Sequence, residues 1–192
     1  AHPQYVGGFT SGAAEYATVS RADLILLVGF DPVELLRQPW RYAAPVVDIA
    51  QVSHPVHYVE PRVCLLGPVP AALAALGAAA RRSEWPGAEI AELKRQMRES
   101  LRYPVRVAGL NPQQVVELAA EASQCLPVSP RIAVDAGAHM FSAMAFWPCT
   151  APCDALISNG LATMAFALPA AIASALHEPQ RVAFAFTGDG GL

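Results

Sequence analysis

Apolar positions in this chain fall into short unbroken runs set off by glycine, proline or charge. Residues 24–28 (LILLV), 45–49 (PVVDI), 63–66 (VCLL), 131–135 (RIAVD), 155–158 (ALIS) and 182–186 (VAFAF) are such runs. Their length and continuity predict strands buried on both faces, as in a parallel α/β sheet. Between them the period changes. Residues 13–20 predict a short helix, and the Ala/Leu-rich stretch 70–80 predicts another, entered through a proline in its first turn. In 88–102, Ile90, Leu93, Met97 and Leu101 recur at helical spacing with Glu, Lys and Arg between them, predicting a solvated helix with one apolar stripe. Asn111-Pro112-Gln113-Gln114 has the form of a helix start: an N-cap side chain, proline at the first helical position and Gln three residues on. Val115, Val116 and Leu118 then supply an apolar face. Residues 164–177 predict an apolar helix with Pro169 near its start.

Strand and helix alternate, so the fold class is α/β, with two incomplete units of parallel sheet flanked by helices. The first is expected over residues 1–80 and the second over 111–192. A linker helix and an extended connection over 103–109 fill residues 81–110. The first unit has few strands for a self-sufficient sheet, and the second ends one residue after a glycine-rich turn. The expectation is therefore a piece of a larger enzyme.

Composition narrows the partners. Only 15% of the 192 residues are charged, 54% are hydrophobic, and the net charge is −3. That balance gives no electrostatic reason to expect nucleic acid or an anionic membrane as partner. The apolar run 161–176 contains Pro169 and falls short of the roughly 20 residues of a membrane-spanning helix. No signal peptide is visible, so Cys64, Cys125, Cys149 and Cys153 are read as free cytosolic thiols. Cys149 and Cys153 lack the second ligand pair of a zinc site.

Chemistry concentrates at three strand ends of the second unit: Asp135-Ala-Gly137-Ala138-His139, Ser158-Asn-Gly-Leu-Ala162-Thr-Met164, and Thr187-Gly188-Asp189-Gly190-Gly191. In a parallel sheet these lie along one edge, where open α/β folds bind ligands. Glycine-rich loops can turn backbone N–H groups toward a diphosphate, and Asp189 could hold a hard divalent cation there. His139 could donate to a phosphate oxygen. Taken alone, GDGG also describes an ordinary tight turn with a local Asp hydrogen bond. A dinucleotide fingerprint is absent both here and after Val28, where the turn reads Gly29-Phe30-Asp31-Pro32.

The run SNGLATMAFALPAAIASALHEPQRVAFAFTGDGGL resembles the diphosphate-binding domain of thiamine-diphosphate enzymes of the acetolactate synthase and 2-oxoacid decarboxylase group. Members of that group read close to SGGLGTMGFGLPAAIGA, then a strand, then GDG. The resemblance covers residues 135–192. Upstream, RADLILLVGFDPVELLRQPW resembles the central domain, especially of the catabolic, flavin-independent acetolactate synthases.

By this resemblance, Asp189 is a ligand of Mg²⁺. Gly190 and Gly191 offer N–H groups to the diphosphate, and Gly188 allows the turn. His139, with the backbone of Gly137 and Ala138, contacts the same diphosphate. Met164 sits beneath the cofactor between its rings, and the carbonyl of Ala162 accepts a hydrogen bond from its amino group, orienting the base that generates the nucleophile.

The implied activity makes or breaks C–C bonds of 2-oxoacids or aldehydes, as a lyase or transferase, in the cytoplasm. The implied cofactors are thiamine diphosphate and Mg²⁺; the turn after Val28 departs from the flavin-binding version of the central domain, so FAD is not expected. Another carboligase, lyase or decarboxylase of the group, or a non-catalytic homologue, are the alternatives. Alanine stands where the family has glycine at Ala162, Ala165, Ala167 and Ala173, and Ala138 where synthases commonly have glutamine. The family's second metal ligand and the glutamate that protonates the aminopyrimidine have no counterpart in these residues, so turnover by this chain alone is not expected. The parent enzyme is expected to be a homodimer or homotetramer.

Overall fold

A computed structural model describes residues 2–9, 12–31, 39–54, 59–104, 109–158 and 160–192. The stretch after Asp31 that carries part of the resemblance to the central domain (residues 32–38), most of the extended connection (105–108) and Asn159 lie outside them. The chain divides into two compact units, Val6–Met97 and Ala1–Tyr5 with Arg98–Leu192.

The first unit is built on a parallel sheet of β1 (Ile25–Val28), β2 (Val46–Ala50) and β3 (Val63–Leu66), in that order across the sheet. Register pairs Leu26 with Val47 and Val47 with Val63. The three expected runs are thus strands, and β2, at the centre, holds the buried Val46, Ile49 and Ala50. The edge strands are more exposed: every residue of β3 faces solvent. The short helix α1 (Tyr16–Val19) brings Tyr16 into an aromatic group with Phe9, Trp40 and Tyr42, where Trp40 and Tyr42 meet edge to face at 5.1 Å. Helix α2 (Val69–Ala79) carries Pro70 in its first turn, as expected, but buries none of its residues. In α3 (Gly87–Ser100), Ile90, Leu93 and Met97 form the buried stripe. Leu101 does not extend it: the helix stops at Ser100 and Leu101 is exposed.

The second unit has a parallel sheet ordered β5 (Ala155–Ile157), β4 (Arg131–Val134), β6 (Ala183–Phe186). Its first helix, α4 (Pro112–Ala122), opens with the full capping box. Asn111 accepts from the Gln114 N–H at 2.9 Å, and the Gln114 side chain accepts from the Asn111 N–H at 2.9 Å. All four residues of β4 are buried, and alternation along it sends side chains to two separate cores. Ile132 and Val134 pack with Val116, Ala143, Phe146 and Trp147 on one face. Ala133 packs with Ala167 and Ala171 of α6 (Ala167–His177) on the other. Trp147 meets Phe184 and Phe186 edge to face at 5.7 and 5.9 Å, fixing β6 to the larger core.

Helix α5 (Ala138–Phe146) occupies a stretch whose start reads as a loop in the sequence. Its segment AHMFSAMAF has no polar face and no side-chain N-cap, so no amphipathic period announces it. His139 therefore stands in the first turn of a helix rather than in a strand-end loop. The crossovers run β4–α5–β5 and β5–α6–β6 with β4 in the middle. The carboxyl end of β4 is thus the point from which the chain proceeds to either side, where open α/β sheets form a crevice.

At the amino end of β4, opposite that crevice, a buried ionic network ties the sheet together. Arg131 donates to the Cys153 carbonyl at 2.8 Å, to Ser174 Oγ at 2.9 Å and to Glu178 Oε1 at 3.1 Å. Asp154, 1% exposed, pairs with Arg181 and accepts from the N–H groups of Thr150 at 2.6 Å and Ala151 at 2.7 Å. All four cysteines are free and exposed. No helix among the described residues is long and apolar enough to cross a membrane.

Candidate functional site

Three loops close on one another at the carboxyl ends of β4, β5 and β6. The β4 strand ends in Asp135, whose N–H continues the ladder to the Phe186 carbonyl at 3.0 Å. The next residues turn through Gly137 into α5 and set the His139 ring over two glycines. A Cβ on Gly137 would lie 2.7 Å from His139 Cε1, and one on Gly188 3.4 Å from the same atom. The first distance is one that real Cβ atoms do not show, so the ring can lie there only because residue 137 is glycine. His139 Nε2 is buried and has no hydrogen-bond partner among the described residues. An unmet polar nitrogen inside a protein costs on the order of 1–3 kcal/mol, which a ligand oxygen would recover.

The loop after β5 is held by its own hydroxyls. Ser158 Oγ and Thr163 Oγ1 are 2.8 Å apart, the Thr163 N–H donates to Ser158 Oγ at 3.2 Å, and the Ala162 N–H donates to the Ser158 carbonyl at 3.0 Å. Ala136 N–H donates to the Thr163 carbonyl at 3.4 Å, joining this loop to the first. Ala162 and Ala165 have φ of 48° and 62°, the left-handed region that favours glycine, as does Gly160 at 80°. Met164 is 63% exposed, yet its Sδ reaches the third loop: a Cβ on Gly190 would lie 3.3 Å from it.

The third loop is a single 3₁₀ turn, Asp189–Gly191. Asp189 is exposed, and its carboxylate makes no hydrogen bond or ion pair among the described residues. Gly191 is buried, and its N–H donates to the Gly188 carbonyl at 3.1 Å. A Cβ there would overlap the Asp135 carboxylate and the Thr187 hydroxyl. What this residue supplies to the site is a missing side chain.

The structure thus gathers Gly137, His139, Gly188 and Gly190 around one edge, with Met164 against Gly190. Ala138 opens α5 beside them, and Ala162 sits in the turn two residues before Met164. Among the described residues no cluster of three His, Cys, Asp or Glu gathers that could hold a metal. The unmet His139 nitrogen, the glycine wall and the unpaired Asp189 carboxylate fit an anion accompanied by one hard cation, with the protein giving that cation a single carboxylate.

Two residues of the site escape sequence reasoning. Asp135 and Thr187 carry the hydrogen bonds that join the loops, and Asp135 is 1% exposed. Burial of that carboxylate opposes ionisation, but the Thr187 hydroxyl and the N–H groups of Ala167, Ala165 and Phe166 outweigh it and hold its pKa below the ordinary value. A carboxylate directly after an unbroken apolar strand, with a hydroxyl at the matching end of the neighbouring strand, is the signal that marks them. Elsewhere, in the first unit, a cavity of about 560 Å³ is lined by Trp40, Tyr42, Val59, Glu60 and Arg62 among others. Its lining is mostly aromatic and aliphatic and includes none of the residues above.

Residues 135–192 match the family model for the thiamine pyrophosphate enzyme C-terminal TPP-binding domain. Along nearly its whole length the chain is similar to acetolactate synthases. The catabolic acetolactate synthase of Raoultella terrigena is 30% identical over 97% of this chain and 34% of its own length. The acetolactate synthase of Bacillus subtilis is 24% identical over 90% of this chain and 31% of its own. An acetolactate synthase isozyme 1 large subunit from Escherichia coli is 34% identical over 56% of this chain and 19% of its own. The chain spans about a third of the length of the relatives that match most of it.

Proposed function

Because this chain is acetolactate synthase-like and carries the match to a TPP-binding domain at residues 135–192, we propose that its three-loop edge holds the diphosphate of thiamine diphosphate and one Mg²⁺. His139 donates from Nε2 to a phosphate oxygen. Gly137, Ala138, Gly188 and Gly190 form the wall that lets the anion approach backbone, and Asp189 is the Mg²⁺ ligand. Gly191 stands behind that wall with its N–H on the Gly188 carbonyl rather than on the diphosphate. Met164 would support the cofactor, and the Ala162 carbonyl would accept a hydrogen bond from its amino group. When bound, thiamine diphosphate supplies the nucleophilic carbon and the electron sink for chemistry at a carbonyl. The reaction is the making or breaking of C–C bonds of 2-oxoacids by a cytoplasmic lyase or transferase that assembles as a dimer or tetramer.

The observation that carries this reading is the buried, unmet Nε2 of His139 between two glycines. Isothermal titration of the chain with thiamine diphosphate and Mg²⁺ tests it. Saturable binding that weakens about tenfold in His139→Ala, and loses its Mg²⁺ dependence in Asp189→Ala, is expected. Binding indifferent to both substitutions, or absent from the unsubstituted chain, would remove the basis for the assignment.

A further inference from the structure

Asp135 is buried at the head of the crevice and takes no part in the chemistry above. Its two oxygens go to different loops. Oδ1 accepts the N–H of Ala167, the first residue of α6, at 2.6 Å and thereby caps that helix. The residue before that helix, Phe166, offers no side-chain cap of its own. Oδ2 accepts the Thr187 hydroxyl at 2.5 Å, on the loop after β6. A helix cap needs only the first of these arms. The second reaches across the sheet to the turn that carries Asp189, and the space beside Gly191 is filled by Oδ2 and Thr187 Oγ1 together.

We propose that Asp135 is a positioning residue, one buried carboxylate that locks the Met164 loop to the 188–191 turn so that the two move as a unit. The consequence of the lock is visible where Met164 Sδ rests against Gly190. Among the described residues no hydrogen bond joins 162–165 directly to 188–191, so Asp135 supplies the polar connection. Its role at a cofactor site rests on the reading given under Proposed function; the mechanical coupling does not.

The chain, labelled at its methionine methyl carbons and free of ligand, is compared with Thr187→Val, which keeps the volume of residue 187 and leaves the α6 arm intact. Coupling predicts that the Met164 methyl resonance shifts and that amide hydrogen exchange at 165–167 accelerates about tenfold, although neither lies on the altered loop. Thr187→Ser restores both. Thr187→Ala serves as a second variant should the valine disturb folding. An altered 188–191 turn with Met164 and residues 165–167 unchanged overturns the proposal, since the two arms would then act independently. Thiamine diphosphate affinity, measured with Mg²⁺ on the same variants, is expected to fall about tenfold in Thr187→Val and to recover in Thr187→Ser. Failure of the unsubstituted chain to bind thiamine diphosphate sinks the functional reading alone, because the ligand-free measurements still decide the coupling.

Discussion

Backbone conformation distinguishes the alanines of this site from one another. Ala162 and Ala165 occupy the left-handed region, where a Cβ costs roughly 1–2 kcal/mol, while Ala167 is an ordinary buried helical residue. The sequence shows all of these as alanine in place of the family's glycine, but only backbone angles tell which are strained. Replacing Ala162 or Ala165 by glycine removes the Cβ strain and adds conformational entropy to the unfolded chain; the two effects oppose. The strain is the larger, so each substitution is expected to raise stability by about 0.5–1 kcal/mol. Urea unfolding followed by circular dichroism reads this directly, and an unchanged or lowered midpoint in both variants would show that these alanines are not strained. The three loops that the structure brings together were legible because they are glycine-rich strand ends. The carboxylate that joins those ends was not, since nothing in DAGAH says whether its Asp points to solvent or into the sheet.

Elements were legible where the sequence carries a continuous apolar run, a one-sided apolar period or a cap. Each of the six apolar runs expected to be a strand forms one among the described residues, and α4 begins at the Asn111 capping box. Helix α5 was missed because it is apolar nearly all round. The ionic network under β4 was also hidden, because Arg131, Asp154, Glu178 and Arg181 are scattered across 50 residues of sequence and meet only once the sheet forms. Its behaviour with pH follows from Asp154. Burial raises the pKa of that carboxyl, but the N–H groups of Ala151 and Thr150, the Arg181 guanidinium and the Thr150 hydroxyl overcome it and lower the value from 3.8 to about 2. A folded-state pKa below the unfolded one gives stability that is present above about pH 4 and is lost as the pH falls toward 2. The amount is roughly 2 kcal/mol. Unfolding free energies measured from pH 5 to pH 2 are expected to fall through this window. Asp154→Asn should be less stable at pH 5 and show a flatter slope below pH 4; an equally steep slope would place the acid sensitivity elsewhere.

At the scale of the molecule, the low charge content seen in the sequence has a structural counterpart. With 15% charged residues and a net charge of −3, little repulsion keeps copies apart. Much apolar surface is open: on α6, Leu168, Ile172 and Leu176 recur at i, i+4 and i+8 and are 45%, 53% and 77% exposed. The opposite face of the same helix holds Ala167, Ala171 and Ser174 against the sheet. Sequence alone reads this helix as apolar without saying which half is covered, because alanine and leucine alternate around it. An exposed apolar row of this kind favours association in water. Sedimentation of the chain is therefore expected to show concentration-dependent self-association. Substituting Ile172→Lys and Leu176→Lys together should reduce it while leaving the melting temperature nearly unchanged, since both side chains are more exposed than buried. Association that persists in the double variant would assign it to another surface, the solvent-facing β3 edge with Val63, Leu65 and Leu66 being the next to test. A large fall in melting temperature would instead mean that these side chains are covered within the folded chain, contrary to the exposure seen here.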